Sequence, residues 1–397
     1  MEISRRGKEI QPSPIRKLKP YADRALEKGI HVYFLNIGQP DIPTPKPVIE
    51  AFHSYDDKVL SYGPAQGFLE LRQAMADYYH SYNIPLSEEN VIITTGGSEA
   101  IHFAFSLVAD HGEEIIIPEP FYTNYNGYAS FAGVKIVPLT LRVEDGFRLP
   151  GLEQIEAAVS PKTKAVLLCS PNNPTGTVYT PEEIERIIQV VKKHDLFLIG
   201  DEVYKEFVYD GAVHRSVLEY EDIKERVIVV DSISKRFSCC GARIGAIVSR
   251  RQSVLEAGLK FAQARLCPPS VEQKAALAAY RMGMSYFEEV RAEYQQRRDV
   301  LFEGLKDIPG IVIHKPQGAF YIIVRLPIED SEHFVRWMLT EFSLENQTVM
   351  VAPAQGFYST PGKGLNEVRI AYVLKESDLR KAITVFKAGL EKYRKGL

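Results

Sequence analysis

Between residues 90 and 250 the chain alternates short apolar, β-branched segments with stretches of helical periodicity. This alternation constrains the fold more than any other feature of the sequence. The segments are NVIITTGG, EEIIIPEP, VKIVPLTL, TKAVLLCSP, LFLIGDEVY, RVIVVDSIS and RIGAIVS. Strands that are apolar on both faces and separated by helices are typical of a covered, mostly parallel sheet. The sequence therefore predicts an α/β fold with a seven-stranded, mostly parallel sheet.

The last two of these segments are too close in sequence to form a parallel pair. Only about ten residues separate Ser232 from Arg243, and a parallel connection needs a longer crossover, usually a helix. We therefore predict that the last strand runs antiparallel. The connecting loop carries Lys235, which places this lysine at an end of the sheet, where open α/β folds have their binding sites.

Both ends of the chain predict a second, smaller domain. After a helical pattern that ends near 307 come the strand-like segments GAFYIIVRL and EVRIAYV, with helices near 331–342 and 376–394. We expect a large domain over residues 46–290, and a smaller α+β domain made of residues 1–45 and 291–397. A chain of 397 residues is long enough for both.

Charge and hydropathy exclude several classes of protein. The net charge of −3 and the pI near 6.4 give no broad electrostatic footprint for nucleic acid. There is no apolar run long enough for a membrane span, and the first residues lack the apolar segment of a signal peptide, so we expect a cytoplasmic protein. The 4 cysteines and 9 histidines lack the spacings of a disulfide framework or a metal site.

Polar residues follow several predicted strands at their carboxyl ends. Gly97 and Ser98 open a helix directly after a strand and would present backbone N–H groups to an anion, although such turns often serve only as connections. Arg243, close to Ser232, would add a guanidinium fork for a phosphate, or would pair with an acid. Asp201 ends an apolar run and would need a cationic or protonated partner there.

Two further residues point to the same edge of the sheet. Tyr204 follows Asp201 by three residues, and Asn173 precedes Pro174 in a turn after another strand. Alone, each signal also fits a structural ion pair or an ordinary turn, but one ligand could contact them all at this edge. Neither a P-loop nor a GxGxxG pattern is present, so a nucleotide is not the favoured ligand.

Over nearly its whole length the chain resembles the fold-type I, pyridoxal 5'-phosphate-dependent aminotransferases of class I/II. The motifs that carry this resemblance occur in the order of the family. They are NIGQPDIPTP, YGPAQGFLELRQAMADYY, TTGGSEA, PEPFY, SPNNPTG, DEVY, SISKRFSCCGARIG, PQGAFY and NEVRIAY.

The resemblance implies pyridoxal 5'-phosphate as the cofactor, bound covalently by Lys235. It implies that Asp201 keeps the pyridine nitrogen protonated, so that the ring works as an electron sink. Tyr204 and Asn173 match residues that donate hydrogen bonds to the phenolic oxygen of the cofactor. Tyr122 occupies the position of the aromatic residue that stacks on the ring.

The resemblance also implies how the phosphate is held and how subunits associate. Ser232 and Arg243 look like phosphate ligands, completed by the backbone and side chains around Gly97 and Ser98. Tyr62 resembles a tyrosine that reaches the phosphate of the neighbouring subunit. The enzyme would then be a homodimer with shared active sites.

On the substrate side, Arg369 matches the arginine that grips the α-carboxylate as a bidentate fork, helped by Gly38 and Asn173. The resemblance implies that Lys235, once displaced by the substrate amine, moves a proton from the α-carbon. It implies a ping-pong exchange between an L-amino acid and a 2-oxo acid.

The side chain of the substrate is less well determined. Overall similarity favours aspartate as donor and 2-oxoglutarate as acceptor, but some bacterial members that use aspartate carry a lysine where this chain has Ser98. Arg265 or Arg16 could supply the missing charge, and a structural role for Arg265 is an equal alternative. Cys239 and Cys240 are expected to pack beside the phosphate.

Other activities on the same fold stay open. They are a transaminase for alanine or aromatic amino acids, and a cysteine-S-conjugate β-lyase that eliminates a leaving group. A non-catalytic regulator is least favoured, because such proteins carry an added DNA-binding segment.

Overall fold

The computed structural model describes residues 1–396. Its helices are α1 (Arg5–Glu9), α2 (Lys19–Glu27), α3 (Lys46–His53), α4 (Leu69–His80), α5 (Gly96–Val108), α6 (Asn124–Ala132), α7 (Leu152–Glu156), α8 (Pro181–Lys193), α9 (Ile233–Arg236), α10 (Gln252–Arg265), α11 (Ser270–Tyr280), α12 (Ser285–Leu305), α13 (Ser331–Thr340) and α14 (Glu376–Arg394). Its strands are β1 (His31–Phe34), β2 (Val91–Thr94), β3 (Glu114–Glu119), β4 (Lys135–Thr140), β5 (Thr163–Cys169), β6 (Phe197–Asp201), β7 (Val227–Ser232), β8 (Gly245–Ser249), β9 (Val312–Ile313), β10 (Tyr321–Arg325), β11 (Gln347–Met350), β12 (Ala352–Pro353) and β13 (Glu367–Ala371).

A seven-stranded sheet in the order β2-β8-β7-β6-β5-β3-β4 forms the centre of the molecule. Strand β8 is antiparallel to both of its neighbours, and the other pairs are parallel. The predictions of a mostly parallel sheet and of an antiparallel last strand are therefore confirmed. Between β7 and β8 there is room only for the single turn of α9 and a short 3-10 turn, which cannot carry a parallel crossover.

Both faces of this sheet are buried, which explains the continuous apolar runs. A hydrophobic core covers each face of the sheet, and successive residues of a strand pack into opposite cores. Ile116 packs into the core on one face, and Ile115 and Ile117 pack into the core on the other. Helix α8 begins at a capping box, in which the Thr180 hydroxyl accepts from Glu183 N and the Glu183 carboxylate accepts from Thr180 N. Ile184, Ile187, Ile188 and Val191 make its buried stripe.

The rest of the chain builds two smaller sheets. Strands β12-β13-β10-β9 form an antiparallel sheet, and β1 pairs with β11 in parallel. Apolar residues of α2, α13 and α14 pack with these strands in a third core. The domain limits at residues 46 and 290 stay a prediction, and the second limit falls inside the continuous helix α12.

Among residues 1–396, none of the helices is both long and apolar enough to traverse a lipid bilayer.

Candidate active site

A cavity of about 430 Å³ lies where the carboxyl ends of β5, β6 and β7 face the sheet formed by β10 and β13. Every site residue predicted from the sequence lines it, except Tyr62 and the side-chain candidate Arg265. These lining residues are Gly38, Gly97, Ser98, Tyr122, Asn173, Asp201, Tyr204, Ser232, Lys235, Arg243 and Arg369. The fold therefore gathers residues that are up to 331 positions apart in sequence, since Gly38 and Arg369 both border one cavity.

Lys235 projects into this cavity from α9. The Ser232 hydroxyl caps the helix by accepting from Ser234 N. The Lys235 Nζ donates to the Gly38 carbonyl oxygen over 2.7 Å. A Cβ atom on Gly38 would lie 1.7 Å from the Tyr321 hydroxyl, so only glycine lets this carbonyl approach the lysine. The amine is thus half-buried and oriented by a backbone acceptor.

One end of the cavity is suited to an anion. Helix α5 begins there, so the backbone N–H groups of Gly97 and Ser98 lie in its first turn, where no intrahelical carbonyl is available. The Arg243 guanidinium covers Gly96 so closely that a Cβ atom on Gly96 would lie 2.3 Å from Nη2. Among residues 1–396, Arg243 forms no ion pair, so the alternative of a structural acid partner is not realised.

A buried carboxylate lies at the end of β6. Asp201 is 5% exposed, and it accepts a hydrogen bond of 2.5 Å from the Tyr125 hydroxyl and a longer one of 3.4 Å from Val203 N. It has no cationic partner among the described residues. Burial raises the pKa of Asp201 to about 6, and the hydrogen bonds from Tyr125 and Val203 oppose this rise. A ligand cation would fit here, because it would return the carboxylate to its ionised form.

Replacing Asp201 with Asn measures how much the buried carboxylate lowers the free energy of unfolding. The folded pKa of about 6 exceeds the ordinary value of 3.8, so the folded state binds more protons than the unfolded state between these values. The free energy of unfolding of the wild type therefore falls as pH rises through this window. Above about pH 6 the buried carboxyl is ionised, and its destabilising effect is fully present. In urea unfolding of the cofactor-free protein, we compare the free energy of unfolding of Asp201→Asn with that of the wild type. We expect this difference to favour the variant by about 1 kcal/mol more at about pH 7.5 than at about pH 5. An equal difference at both pH values would contradict the burial argument.

Opposite the carboxylate lies a buried guanidinium. Arg369 is 1% exposed and donates to the Asn173 side-chain oxygen at 2.9 Å and to the Asn36 carbonyl at 2.6 Å. Its Nε has no partner, and within residues 1–396 no carboxylate pairs with it. The guanidinium lies 4.4 Å from the ring centre of Tyr321 and 4.8 Å from that of Phe357. A buried arginine without an anion is costly, so this geometry fits a carboxylate supplied by a ligand.

Tyrosines form the walls of the cavity. The Tyr204 and Tyr321 hydroxyls lie 2.9 Å apart, and the Tyr122 hydroxyl accepts from Asn124 Nδ2 at 2.8 Å. Burial raises the pKa of both Tyr204 and Tyr122, so both are neutral hydrogen-bonding groups.

Tyr321 and Tyr125 have no role predicted from the sequence, yet each contacts a predicted site residue. Tyr321 ends the PQGAFY motif, and the sequence by itself indicates no role for this tyrosine. Tyr125 lies in α6, and no spacing along the chain indicates that its hydroxyl reaches Asp201. Cys240 also lines the cavity, with its Sγ 3.8 Å from the Lys235 amine.

The remaining predicted residues differ in their position. Tyr62 lies on the surface, 80% exposed, and its role toward a neighbouring subunit stays a prediction. Arg265 lies outside the cavity, where it forms an ion pair of 2.7 Å with Glu99 and donates to the Ala65 carbonyl. The structural alternative therefore accounts for its contacts within one chain. Arg16 lines the cavity.

Comparison with known proteins decides the family. Residues 30–386 match the sequence model of the family described as aminotransferase class I and II. The chain belongs to this aminotransferase family. The resemblance of the nine motifs, the fold class and the transaminase activity predicted from the sequence are thereby confirmed.

Similar proteins cover almost all of this aminotransferase. It is 36% identical over 365 residues to an aspartate aminotransferase of Sulfurisphaera tokodaii, which covers 90% of this chain and 89% of that protein. It is 34% identical over 392 residues to aromatic-amino-acid aminotransferase 2 of Thermococcus litoralis, covering 96% and 97%. The solved aspartate aminotransferase of Thermotoga maritima superposes with a TM-score of 0.89 at 30% identity, covering 98% and 100%. Relatives with different amino donors share the fold, so the fold alone does not set the substrate.

Proposed function

We propose that this aminotransferase transfers the amino group of L-aspartate to 2-oxoglutarate by a ping-pong mechanism, with pyridoxal 5'-phosphate as its cofactor. One observation carries the proposal. Around the Lys235 amine, the cavity presents Asp201, Arg243 and Arg369, and none of these three charges has a counter-ion among the described residues. A ligand with a protonated ring nitrogen, a phosphate and a substrate carboxylate would supply all three.

The residues fit this cofactor one group at a time. Asp201 would hold the ring nitrogen, and Arg243, Ser232 and the first turn of α5 would hold the phosphate. Tyr122 would stack on the ring. When bound, the cofactor supplies an electron sink for the bond that is broken at the substrate α-carbon.

Lys235 then has two roles in the proposal. Its Nζ would hold the cofactor covalently, and as a free amine it would remove the proton from the substrate α-carbon. The Gly38 carbonyl oxygen, at 2.7 Å from Nζ, would hold the amine in position for this transfer. Arg369 and Asn173 would fix the α-carboxylate, so that the α-carbon faces the lysine.

The enzyme would act as a homodimer with shared active sites. Val59, Leu60 and Tyr62 lie close together in the sequence and are all more than half exposed in the single chain. Tyr62 would donate its hydroxyl to the phosphate in the neighbouring subunit.

Aspartate is proposed as donor because several relatives that match nearly the full chain carry the name aspartate aminotransferase. The test is a product assay with purified enzyme, cofactor, L-aspartate and 2-oxoglutarate. We expect oxaloacetate and glutamate in equal amounts, with no oxaloacetate accumulating beyond one per site when the acceptor is omitted. Continued release of a 2-oxo acid and ammonia from a donor without acceptor would instead indicate a β-lyase.

A further inference from the structure

The cavity contains an arginine to which the proposed function assigns no anion. Its lining includes the cations Arg16, Lys235, Arg243 and Arg369, against the single carboxylate of Asp201. In the proposed function Lys235 binds the cofactor, Arg243 faces its phosphate and Arg369 faces the α-carboxylate. Arg16 is left without an assigned anion.

Arg16 lies on a turn that is fixed over the cavity. Pro14 packs on Gly356 so tightly that a Cβ atom on this glycine would lie 2.1 Å from Pro14 Cγ. The Asn36 side chain donates to the Ile15 carbonyl at 2.9 Å. The two residues before Arg16 are therefore held by Gly356 and Asn36, while Arg16 itself is exposed.

The same asparagine connects the turn with the buried guanidinium. The Asn36 side chain binds the residue before Arg16, and its backbone carbonyl accepts from Arg369 Nη2 at 2.6 Å. The two arginines thus border one cavity from backbones that a single residue ties together. A ligand whose α-carboxylate binds Arg369 would have its side chain within the same space as Arg16.

Within the described part of the chain, no protein group competes for Arg16. Among residues 1–396 its side chain has neither a carboxylate nor a carbonyl partner, whereas its neighbour Lys17 forms an ion pair with Glu332 outside the cavity. The rival cation Arg265 is already neutralised by Glu99. An unpaired guanidinium fork at the mouth of a binding cavity is suited to a carboxylate, which it can bind through two parallel hydrogen bonds.

We propose that Arg16 binds the side-chain carboxylate of a dicarboxylic amino donor or acceptor, and so sets the preference for dicarboxylates over alanine and aromatic substrates. This inference rests on the proposed function, because it takes Arg369 as the site of the α-carboxylate.

The test compares Arg16→Gln with Lys17→Gln, a matched loss of positive charge one residue away but outside the cavity. In the cofactor-loaded enzyme, Arg16→Gln should lower the ratio of kcat/KM for aspartate to that for alanine by about 10–100-fold, as expected for a charge-assisted hydrogen bond. Lys17→Gln should leave this ratio within about 2-fold, since surface ion pairs contribute little. Titration calorimetry with the unreactive acids succinate and propionate should show the same selective loss, for succinate only.

Three results would overturn the assignment. Equal losses for aspartate and alanine would make Arg16 a general or structural contact, and an unchanged ratio would remove it from the side-chain site. A selective loss in Arg265→Gln, with none in Arg16→Gln, would place recognition on Arg265 instead. If no amino donor is processed at all, the proposed function fails, and succinate binding still tests Arg16 separately.

Discussion

Lys235→Ala is expected to lower kcat by about 10⁴-fold, the upper end of what a positioned acid–base group contributes. The variant loses both the covalent attachment of the cofactor and the amine that moves the α-proton. Of the lysines that the structure describes, none besides Lys235 lines the cavity. The measurement is the rate of oxaloacetate formation, together with mass spectrometry after borohydride reduction, which should find the cofactor attached at residue 235 in the wild type only.

The control for this experiment is Lys387→Ala, an exposed lysine on α14 far from the cavity lining. It should retain wild-type turnover and the attached cofactor. Full turnover of Lys235→Ala, or attachment at another lysine, would remove Lys235 from the mechanism.

Arg369→Met is expected to lower catalytic activity and to raise the stability of the cofactor-free protein. Loss of the bidentate grip on the α-carboxylate is expected to lower kcat/KM by at least about 100-fold for every amino donor. In the cofactor-free protein, however, the change removes a buried cation that has no anion and whose pKa is lowered by burial. We expect unfolding to become less favourable by about 1–3 kcal/mol, even after the loss of the hydrogen bonds to Asn173 and Asn36.

Arg298→Met provides the matched comparison, because Arg298 is equally buried but is paired with Asp210 and Asp299. Its loss removes these two ion pairs and the hydrogen bond to the Pro316 carbonyl, while the partly exposed carboxylates keep Lys315 as a partner, so we expect the protein to be destabilised by about 1–3 kcal/mol. Urea unfolding of both variants measures the contrast. If Arg369→Met is destabilised as strongly as Arg298→Met, then Arg369 is a structural arginine rather than one held ready for a ligand.

Much of the large sheet can be predicted because its signals are local. The apolar runs at 91–94 and 245–249 predict two of the strands. The short connection through Lys235 predicts that β8 is antiparallel to β7. The residues at the strand ends converge because carboxyl ends of parallel strands meet at one edge. Asp201, Ser232 and Asn173 therefore reached the cavity as expected.

The parts that could not be predicted depend on partners distant in sequence. Tyr125 lies 76 positions before Asp201 in the sequence, and only the fold brings its hydroxyl to this carboxylate. Arg265 and Arg16 are indistinguishable as isolated arginines, and they separate once Glu99 is found beside one and the cavity beside the other. Tyr62 would act on a second subunit, so its role needs a contact between two chains.

The most direct measurement is the absorbance of the purified, cofactor-loaded protein before and after L-aspartate is added without any 2-oxo acid. The account predicts that the yellow colour bleaches, that one oxaloacetate is released per active site, and that 2-oxoglutarate then restores the colour while glutamate forms. A colour that aspartate leaves unchanged, with no oxaloacetate released, would contradict the proposal that this chain is an aspartate aminotransferase.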